Sequence, residues 1–149
     1  MPSETIALAS DHGGVTLKDL LRAYIEGQGM QVVDLGSHGD GAVDYPDYAR
    51  ALAETLKDGK AERGILVCGT GIGMAISANR WSHIRAALVH DAYGARMARQ
   101  HNDANVLVLG GRNTGPEVAK ECVDVFLSAG FDGGRHARRV AKLGEQGER

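Results

Sequence analysis

The chain has 149 residues, a length typical of one domain with its own hydrophobic core. Hydrophobic residues make up 43% and charged residues 24%, a balance that excludes a disordered or membrane-spanning chain. The formal net charge of −2 gives no general attraction for nucleic acid or anionic lipid, so neither is expected as a partner. The cysteines, Cys68 and Cys122, are too few for a disulfide framework and lack zinc-site spacing. The first residues carry no export signal, so we expect one cytoplasmic domain over residues 1–149.

Five short runs rich in apolar and β-branched residues predict β-strands. They are Thr5–Ala9, Gln31–Leu35, Gly64–Val67, Arg85–Val89 and Asn105–Leu109. Several are apolar throughout, as expected for strands of a parallel sheet that is covered on both faces. Segments of helical period separate the runs, and the tail after Gly134 predicts a short helix that frays toward Arg149. The pattern therefore predicts an α/β fold, a three-layer, doubly wound, Rossmann-like domain with a five-stranded parallel sheet and a C-terminal helix.

Polar and glycine residues follow the predicted strands directly. In open parallel sheets, ligands bind beyond the carboxyl ends of the strands, so this placement predicts an active site. The segments concerned are Ser10–Gly14, Gly36–His38, Cys68–Gly73, His90–Asp91 and Gly110–Arg112.

The third strand is followed by a loop in which Gly69, Gly71 and Gly73 alternate with Thr70 and Ile72. Such a loop can direct several backbone N–H groups toward an anion at a helix N-terminus, although it can also be a plain turn. A dinucleotide-binding fingerprint does not fit, because position 74 is methionine, and the P-loop lysine is missing.

Cys68 precedes this loop, where nearby N–H groups can favour a thiolate that acts as a base. The alternative is a buried structural cysteine, the interpretation we favour for Cys122 on the apolar stripe of the fifth helix. Thr70 can relay a proton or bind a substrate oxygen, or it can cap the following helix.

Two further segments carry polar groups that could take part in a site. Asp11 and His12 can bind a hydroxyl and a phosphate, although Asp11 can instead cap the first helix. His101, Asn102 and Asp103 offer acid–base and hydrogen-bonding groups in a segment that also resembles an ordinary helix end. The remaining histidines, including His136, read as surface or loop residues.

A basic patch near the C-terminus comprises Arg135, Arg138, Arg139 and Lys142. Arg135 and Arg139 are four residues apart and share a helical face, so they can clamp a phosphate or form a solvated surface. Arg112, beyond the last strand, is a further candidate.

Taken together, these motifs resemble type B ribose-5-phosphate isomerases, in the group that includes galactose-6-phosphate isomerase subunits. The resemblance covers nearly the whole chain. It is carried by Ser10–Gly14, Val43–Pro46, Cys68–Gly73, Ser77–Arg80, Arg99–Asn105 and Gly133–His136. One family variant has glutamate at the position of Met74 and lacks the cysteine, so this chain resembles the cysteine type.

The resemblance implies an aldose–ketose isomerase that needs no metal or other cofactor and works as a homodimer or dimer of dimers, with active sites at a subunit interface. Cys68 would be the base, assisted by Thr70, and the N–H groups of Gly69 to Gly73 would hold the enediolate. His101 would help to open the furanose ring. The implied substrate ligands are Asp11 and Asn102 for sugar oxygens and His12, Arg112, Arg135 and Arg139 for the phosphate.

Ribose 5-phosphate is therefore the expected substrate, converted through a cis-enediolate. A tetrose 4-phosphate or a hexose 6-phosphate is the alternative within the same chemistry. A non-catalytic sugar-phosphate sensor on the same fold, or a redox protein that uses Cys68, would be a different class.

Overall fold

A computed structural model describes residues 4–39 and 41–145, in which strands and helices alternate along the chain. The strands are β1 (Thr5–Ser10), β2 (Gln31–Asp34), β3 (Arg63–Cys68), β4 (Ala86–Leu88) and β5 (Val106–Gly110). The helices are α1 (Val15–Glu26), α2 (Tyr45–Lys57), α3 (Ile72–Ala78), α4 (Ala92–Gln100), α5 (Pro116–Ser128) and α6 (Arg135–Leu143). The five predicted strands and the C-terminal helix are confirmed. The predicted fraying at Arg149 lies outside the described residues.

The strands form one sheet in the order β2-β1-β3-β5-β4, and every neighbouring pair is parallel. The chain passes from β1 to β2 on one side and then to β3 on the other side of β1, so the topological switch point lies between β1 and β3. In folds of this kind the crevice at the switch point is where ligands bind. The predicted doubly wound α/β fold is therefore confirmed.

Alternate residues of the central strands bury opposite faces of the sheet. Ile65 and Val67 of β3 pack on one side with α1, α4 and α5, whereas Leu66 and Cys68 pack on the other with α2 and α3. Since both faces are covered, the strands need apolar side chains in both directions, which explains their continuous hydrophobic runs. Among the described residues, no helix combines the length and the apolar character needed to cross a membrane.

Candidate active site

Cys68 is the last residue of the central strand β3 and is only 5% exposed. Its sulfur accepts a hydrogen bond from the N–H of Gly71 at 3.0 Å. Gly71 adopts a positive φ of 83°, and a β-carbon there would lie 2.6 Å from a methyl carbon of Leu88. Glycine is thus required on two grounds, conformation and space, and the resulting turn aims an N–H at the sulfur. This donor can stabilise negative charge on Cys68 when the thiol loses its proton.

Thr70 stands at the exposed tip of the same loop. Its Oγ1 accepts a hydrogen bond from the N–H of Ile72, the first residue of α3, at 3.3 Å. Thr70 is not the N-cap of α3, because that residue is Gly71 and it lacks a side-chain cap. Because the hydroxyl only accepts in this contact, its own proton can still be donated to a substrate oxygen.

The loop after β1 lies beside the glycine loop and carries Asp11 and His12. Asp11 is buried, and its Oδ1 accepts from the N–H of Gly13 at 2.9 Å, so the carboxylate holds the turn. It does not cap α1, whose N-cap residue is Gly14 and lacks a side-chain cap. His12 is exposed, and its Nδ1 accepts from the N–H of Val43 at 3.1 Å. That contact requires an unprotonated Nδ1, which leaves the Nε2–H as a donor for a ligand.

Arg112 follows β5 and folds back over the glycine loop. Its backbone N–H donates to the carbonyl oxygen of Gly69 at 2.9 Å, and its Nη1 lies 3.2 Å from where a β-carbon on Gly69 would stand. A cation therefore lies against the glycine loop that follows Cys68. Within residues 4–39 and 41–145, the Arg112 guanidinium forms no ion pair with a carboxylate, so its charge remains available to an anion.

The loops at this edge of the sheet are packed backbone against backbone. A β-carbon on Gly14 would lie 2.5 Å from the carbonyl oxygen of Val67, and one on Gly111 would lie 2.7 Å from that of Gly13. Even a methyl group would force the backbone to move at either position. The three loops consequently form one fixed surface around Cys68.

A second group of predicted site residues lies at the opposite end of the strands, where β3 and β5 begin. His101 ends α4, and Asn105 just beyond it accepts a hydrogen bond at its carbonyl oxygen from the N–H of Gly64, near the beginning of β3. Cys68, by contrast, pairs with Gly110 at the end of that strand. The four residues from Gly64 to Cys68 span about 13 Å at about 3.3 Å per residue. One chain therefore does not bring His101 and Cys68 together.

His101 belongs to a cluster with His136 and Arg139. The imidazole rings of His101 and His136 are stacked, with centroids 4.2 Å apart and planes 9° from parallel. A cavity of about 250 Å³ is lined by both histidines, Asn102 and Arg139, and by apolar residues of α6. Arg135 and Arg139 are exposed on α6, one turn apart, as the spacing predicts.

Sequence reasoning missed His136, which the structure brings onto the face of His101. Its position directly after Arg135 in the glycine-glycine-arginine-histidine motif was the available signal. Partial burial lowers the pKa of His136 below 6.5, and the positive charges of His101, Arg135 and Arg139 lower it further. The ring is therefore mainly neutral at pH 7.

Asp132 also lies within this cluster, and its carboxylate and the two imidazoles have potential metal-ligand atoms within 4.8 Å of one another. Because the two rings are nearly parallel, their nitrogen lone pairs lie in nearly parallel planes, whereas a bound metal needs them to converge. The arginines of α6 also favour an anion there. The geometry thus suits a phosphate or sugar better than a cation.

Cys122 differs from these groups in its surroundings. It is fully buried in α5, and burial, followed by the charges of Asp91 and Glu121, raises the pKa of its thiol to about 11. The interpretation of Cys122 as a core residue agrees with this environment.

Comparison with known proteins places these features in a family. The family described as "Ribose/Galactose Isomerase" matches residues 6–143. The chain belongs to the ribose/galactose isomerase family. The resemblance to type B ribose-5-phosphate isomerases is thereby confirmed, and the chain is a sugar-phosphate isomerase of this family.

Individual family members agree over nearly the full chain. The ribose-5-phosphate isomerase B of Escherichia coli is 44% identical over 93% of this chain and 93% of its own. The D-erythrulose-4-phosphate isomerase of Pectobacterium atrosepticum is 46% identical over 94% and 93%. The crystal structure of a ribose 5-phosphate isomerase from Thermotoga maritima is 50% identical, covers 96% of this chain and 99% of its own, and superimposes with a TM-score of 0.94. The fold and the type of reaction are thus shared with these isomerases. The names of the two relatives give sugar-phosphate substrates of different chain length.

Proposed function

We propose that this isomerase interconverts ribose 5-phosphate and ribulose 5-phosphate, a reaction of the pentose phosphate pathway, with Cys68 as the base. The observation that carries the proposal is the Cys68 sulfur at the end of the central strand, with the N–H of Gly71 directed at it from 3.0 Å. A base that moves one proton between neighbouring carbons is the central requirement of aldose–ketose isomerisation.

In the proposed reaction, the Cys68 thiolate removes the proton from C2 of the open-chain aldose. The electrons of the C2–H bond form the C1–C2 double bond, and O1 becomes the enediolate oxygen. Thr70 transfers a proton between O2 and O1, and Cys68 returns its proton to C1, which leaves a ketone at C2. The backbone N–H groups of the loop Gly69–Gly73 stabilise the enediolate charge, with Gly71 aimed at the sulfur. Protons are conserved, and no electron acceptor is required.

We further propose that the complete site contains two chains. Cys68 and His101 lie at opposite ends of the strands of one sheet, so a site that uses both needs a second copy of the chain. The exposed side chains of Ile72 and Ile76, 54% and 56% accessible, lie one turn apart on α3, immediately after the Cys68 loop. A second copy that covers this apolar pair would bring its own surface beside Cys68, as a homodimer or within a dimer of dimers.

Residues from opposite ends of the sheets of two chains would then bind one substrate molecule. Asp11, His12 and Arg112 would come from one chain, and His101, Asn102, Arg135 and Arg139 from the other. Arginine forks suit phosphate oxygens, and His12 presents an Nε2–H donor because its Nδ1 is occupied by Val43. Free thiols are needed for this chemistry, which suits a reducing cytoplasm.

The test of Cys68 compares it with the second cysteine of the same chain. We expect Cys68→Ala to lower kcat by about 10²- to 10⁴-fold, the usual contribution of a general base. Cys122→Ala serves as the matched control and should keep the kcat of the unaltered enzyme, because Cys122 lies in the core of α5. Full activity of Cys68→Ala would refute the proposed base.

A tetrose 4-phosphate is the second candidate substrate, because a D-erythrulose-4-phosphate isomerase matches the chain as well as a ribose-5-phosphate isomerase does, at 46% against 44% identity. Measuring kcat/KM for ribose 5-phosphate, erythrose 4-phosphate and a hexose 6-phosphate discriminates between them. We expect the highest value for ribose 5-phosphate. A value at least about tenfold higher for the tetrose, equivalent to about 1.4 kcal/mol, would replace the pentose assignment.

A further inference from the structure

The segment between α4 and β5 contains a residue with an unusual backbone. Asp103 has a φ of +47°, and among the described residues it is the one non-glycine residue with a positive φ. That conformation costs about 1–2 kcal/mol for a residue with a β-carbon, although aspartate tolerates it better than most. His101 and Asn102 directly precede it. A strained residue next to two proposed substrate ligands indicates that the backbone direction at this point matters.

Two arginines from different elements hold Asp103 in place. Arg99, in the last turn of α4, donates from Nη1 to Oδ1 of Asp103 at 2.9 Å and to the carbonyl oxygen of Ala104 at 2.8 Å. Arg85, next to β4, donates from Nη2 to Oδ2 of Asp103 at 3.3 Å and from Nε to its carbonyl oxygen at 2.8 Å. The carboxylate therefore bridges α4 and the edge of the sheet.

Both carboxylate oxygens of Asp103 are occupied by these arginines, so this group is not available as a base or as a sugar ligand. Its effect must pass through the residues that it anchors. His101 is held on one side by its own N–H, which donates to the carbonyl oxygen of Met97 at 2.8 Å, and on the other by the stacked ring of His136. Asp103 fixes the direction in which the chain leaves that histidine.

We propose that Asp103 is a positioning residue that sets His101 for opening the furanose ring, an inference that rests on the proposed function. In ring opening, the bond between C1 and the ring oxygen O4 breaks. His101 donates a proton to O4, and the hydroxyl at C1 gives its proton to a solvent water molecule as the C1 carbonyl forms. A misplacement of about 1 Å in such a group can lower the rate about 100-fold.

Substrate chemistry offers a direct readout for this role. Ribose 5-phosphate has a free O4 and closes into a furanose, whereas in erythrose 4-phosphate O4 carries the phosphate and no furanose can form. A variant that disturbs only ring opening should therefore slow the pentose and leave the tetrose unaffected. A variant that merely loosens the fold should slow both.

The variants are Asp103→Asn and Asp103→Gly, which both tolerate the positive φ but remove the charge. We expect each to lower kcat/KM for ribose 5-phosphate at least about tenfold and for erythrose 4-phosphate less than about twofold. Glu26→Gln is the control, because it removes the exposed ion pair with Arg22 on α1 and should change neither value. An equal loss on both substrates, or no loss on either, would overturn the positioning role.

A double-variant experiment works even if the tetrose is not turned over. If Asp103 acts through His101, Asp103→Asn should lower activity on ribose 5-phosphate less than about twofold further when His101 is already alanine. A full additional loss in that background would contradict the proposal. His101→Ala with full activity on ribose 5-phosphate would instead refute the ring-opening step of the proposed function, so the two failures are distinguishable.

Discussion

At the scale of single residues, the two cysteines show how surroundings select chemistry. Both are buried and free. Cys122 lies in an apolar helix face, and its thiol has a pKa of about 11, so at neutral pH it remains protonated. Cys68 receives an N–H from a turn that only glycine can form. Burial thus raises the pKa of the Cys122 thiol, whereas the turn that follows Cys68 directs a hydrogen-bond donor at its sulfur.

The pair of stacked histidines gives a prediction about pH. Because burial and the neighbouring positive charges lower the pKa of His136, the unfolded chain takes up a proton at a higher pH than the folded chain. The contribution of His136 to the free energy of unfolding is therefore complete above about pH 6.5 and falls as the pH decreases through 6.5 toward the lowered value. NMR titration should give His136 a pKa below 6.5.

Replacing His101 tests the cause of that shift. In His101→Ala the stacked ring and its charge are gone, so the pKa of His136 should move back toward 6.5. Arg138→Gln is a suitable control, because Arg138 is not among the groups that shift His136. A pKa of His136 at or above 6.5 in the unaltered protein would contradict the stacked arrangement.

At the scale of elements, the junction of β3 and α3 is constrained in both conformation and space. Gly71 and Gly29 both have a positive φ, at 83° and 88°. Gly29 has open space around its α-carbon, whereas Gly71 is enclosed by Leu88 and Leu109. A comparison of these two positions therefore separates the effect of backbone conformation from the effect of packing.

We expect Gly29→Ala to lower the free energy of unfolding by about 1–2 kcal/mol and to leave kcat unchanged, since only the backbone conformation is affected. Gly71→Ala should destabilise the protein more and should also lower kcat, because the N–H directed at Cys68 is displaced. Urea denaturation and steady-state kinetics measure the two effects. Equal kcat values for both variants would show that the Gly71 donor has no part in the reaction.

At the scale of the whole molecule, the separation of the two groups of site residues predicts complementation between inactive chains. Cys68→Ala and His101→Ala proteins should each have low activity. In the proposed dimer, a mixed pair of chains has one site that receives both natural residues. Random mixing of equal amounts then gives about a quarter of the original activity, since half of the dimers are mixed and each has one intact site.

The experiment requires co-expression with two affinity tags, so that the mixed species can be purified. Mixing Cys68→Ala with Thr70→Ala is the control and should restore nothing, because both residues lie on one loop. Failure of Cys68→Ala and His101→Ala to complement would refute the proposed site that combines residues of two chains.

Local sequence patterns predicted much of this architecture. Strand positions followed from apolar runs, α4 was expected as a segment of helical period between two strands, and the Cys68 loop followed from its glycines. These features depend on neighbours in sequence. The position of β4 at the sheet edge beyond β5 depends on contacts between distant segments and could not be predicted from local sequence patterns.

Two side chains show the same limit. Lys18 is completely buried in α1, with its Nζ 2.8 and 2.9 Å from the carboxylate oxygens of Asp34. Burial opposes ionisation of Asp34, but the hydrogen bonds from Lys18 and the Gly36 N–H keep its pKa below 3.8. A lysine on a helix is ordinarily expected in solvent. Its burial, like the stacking of His136 on His101, depends on a partner that only the folded chain supplies.

The close backbone contacts among the loops after β1, β3 and β5 bear on how this fold diversifies. Gly14 and Gly111 leave no room for even a methyl group, so the loops themselves have little freedom to vary. Evolutionary change in substrate length must then act on the side chains that surround them and on the surface contributed by α6. Such a division would let lineages pass between tetrose and pentose phosphates while the proton-transfer centre stays fixed.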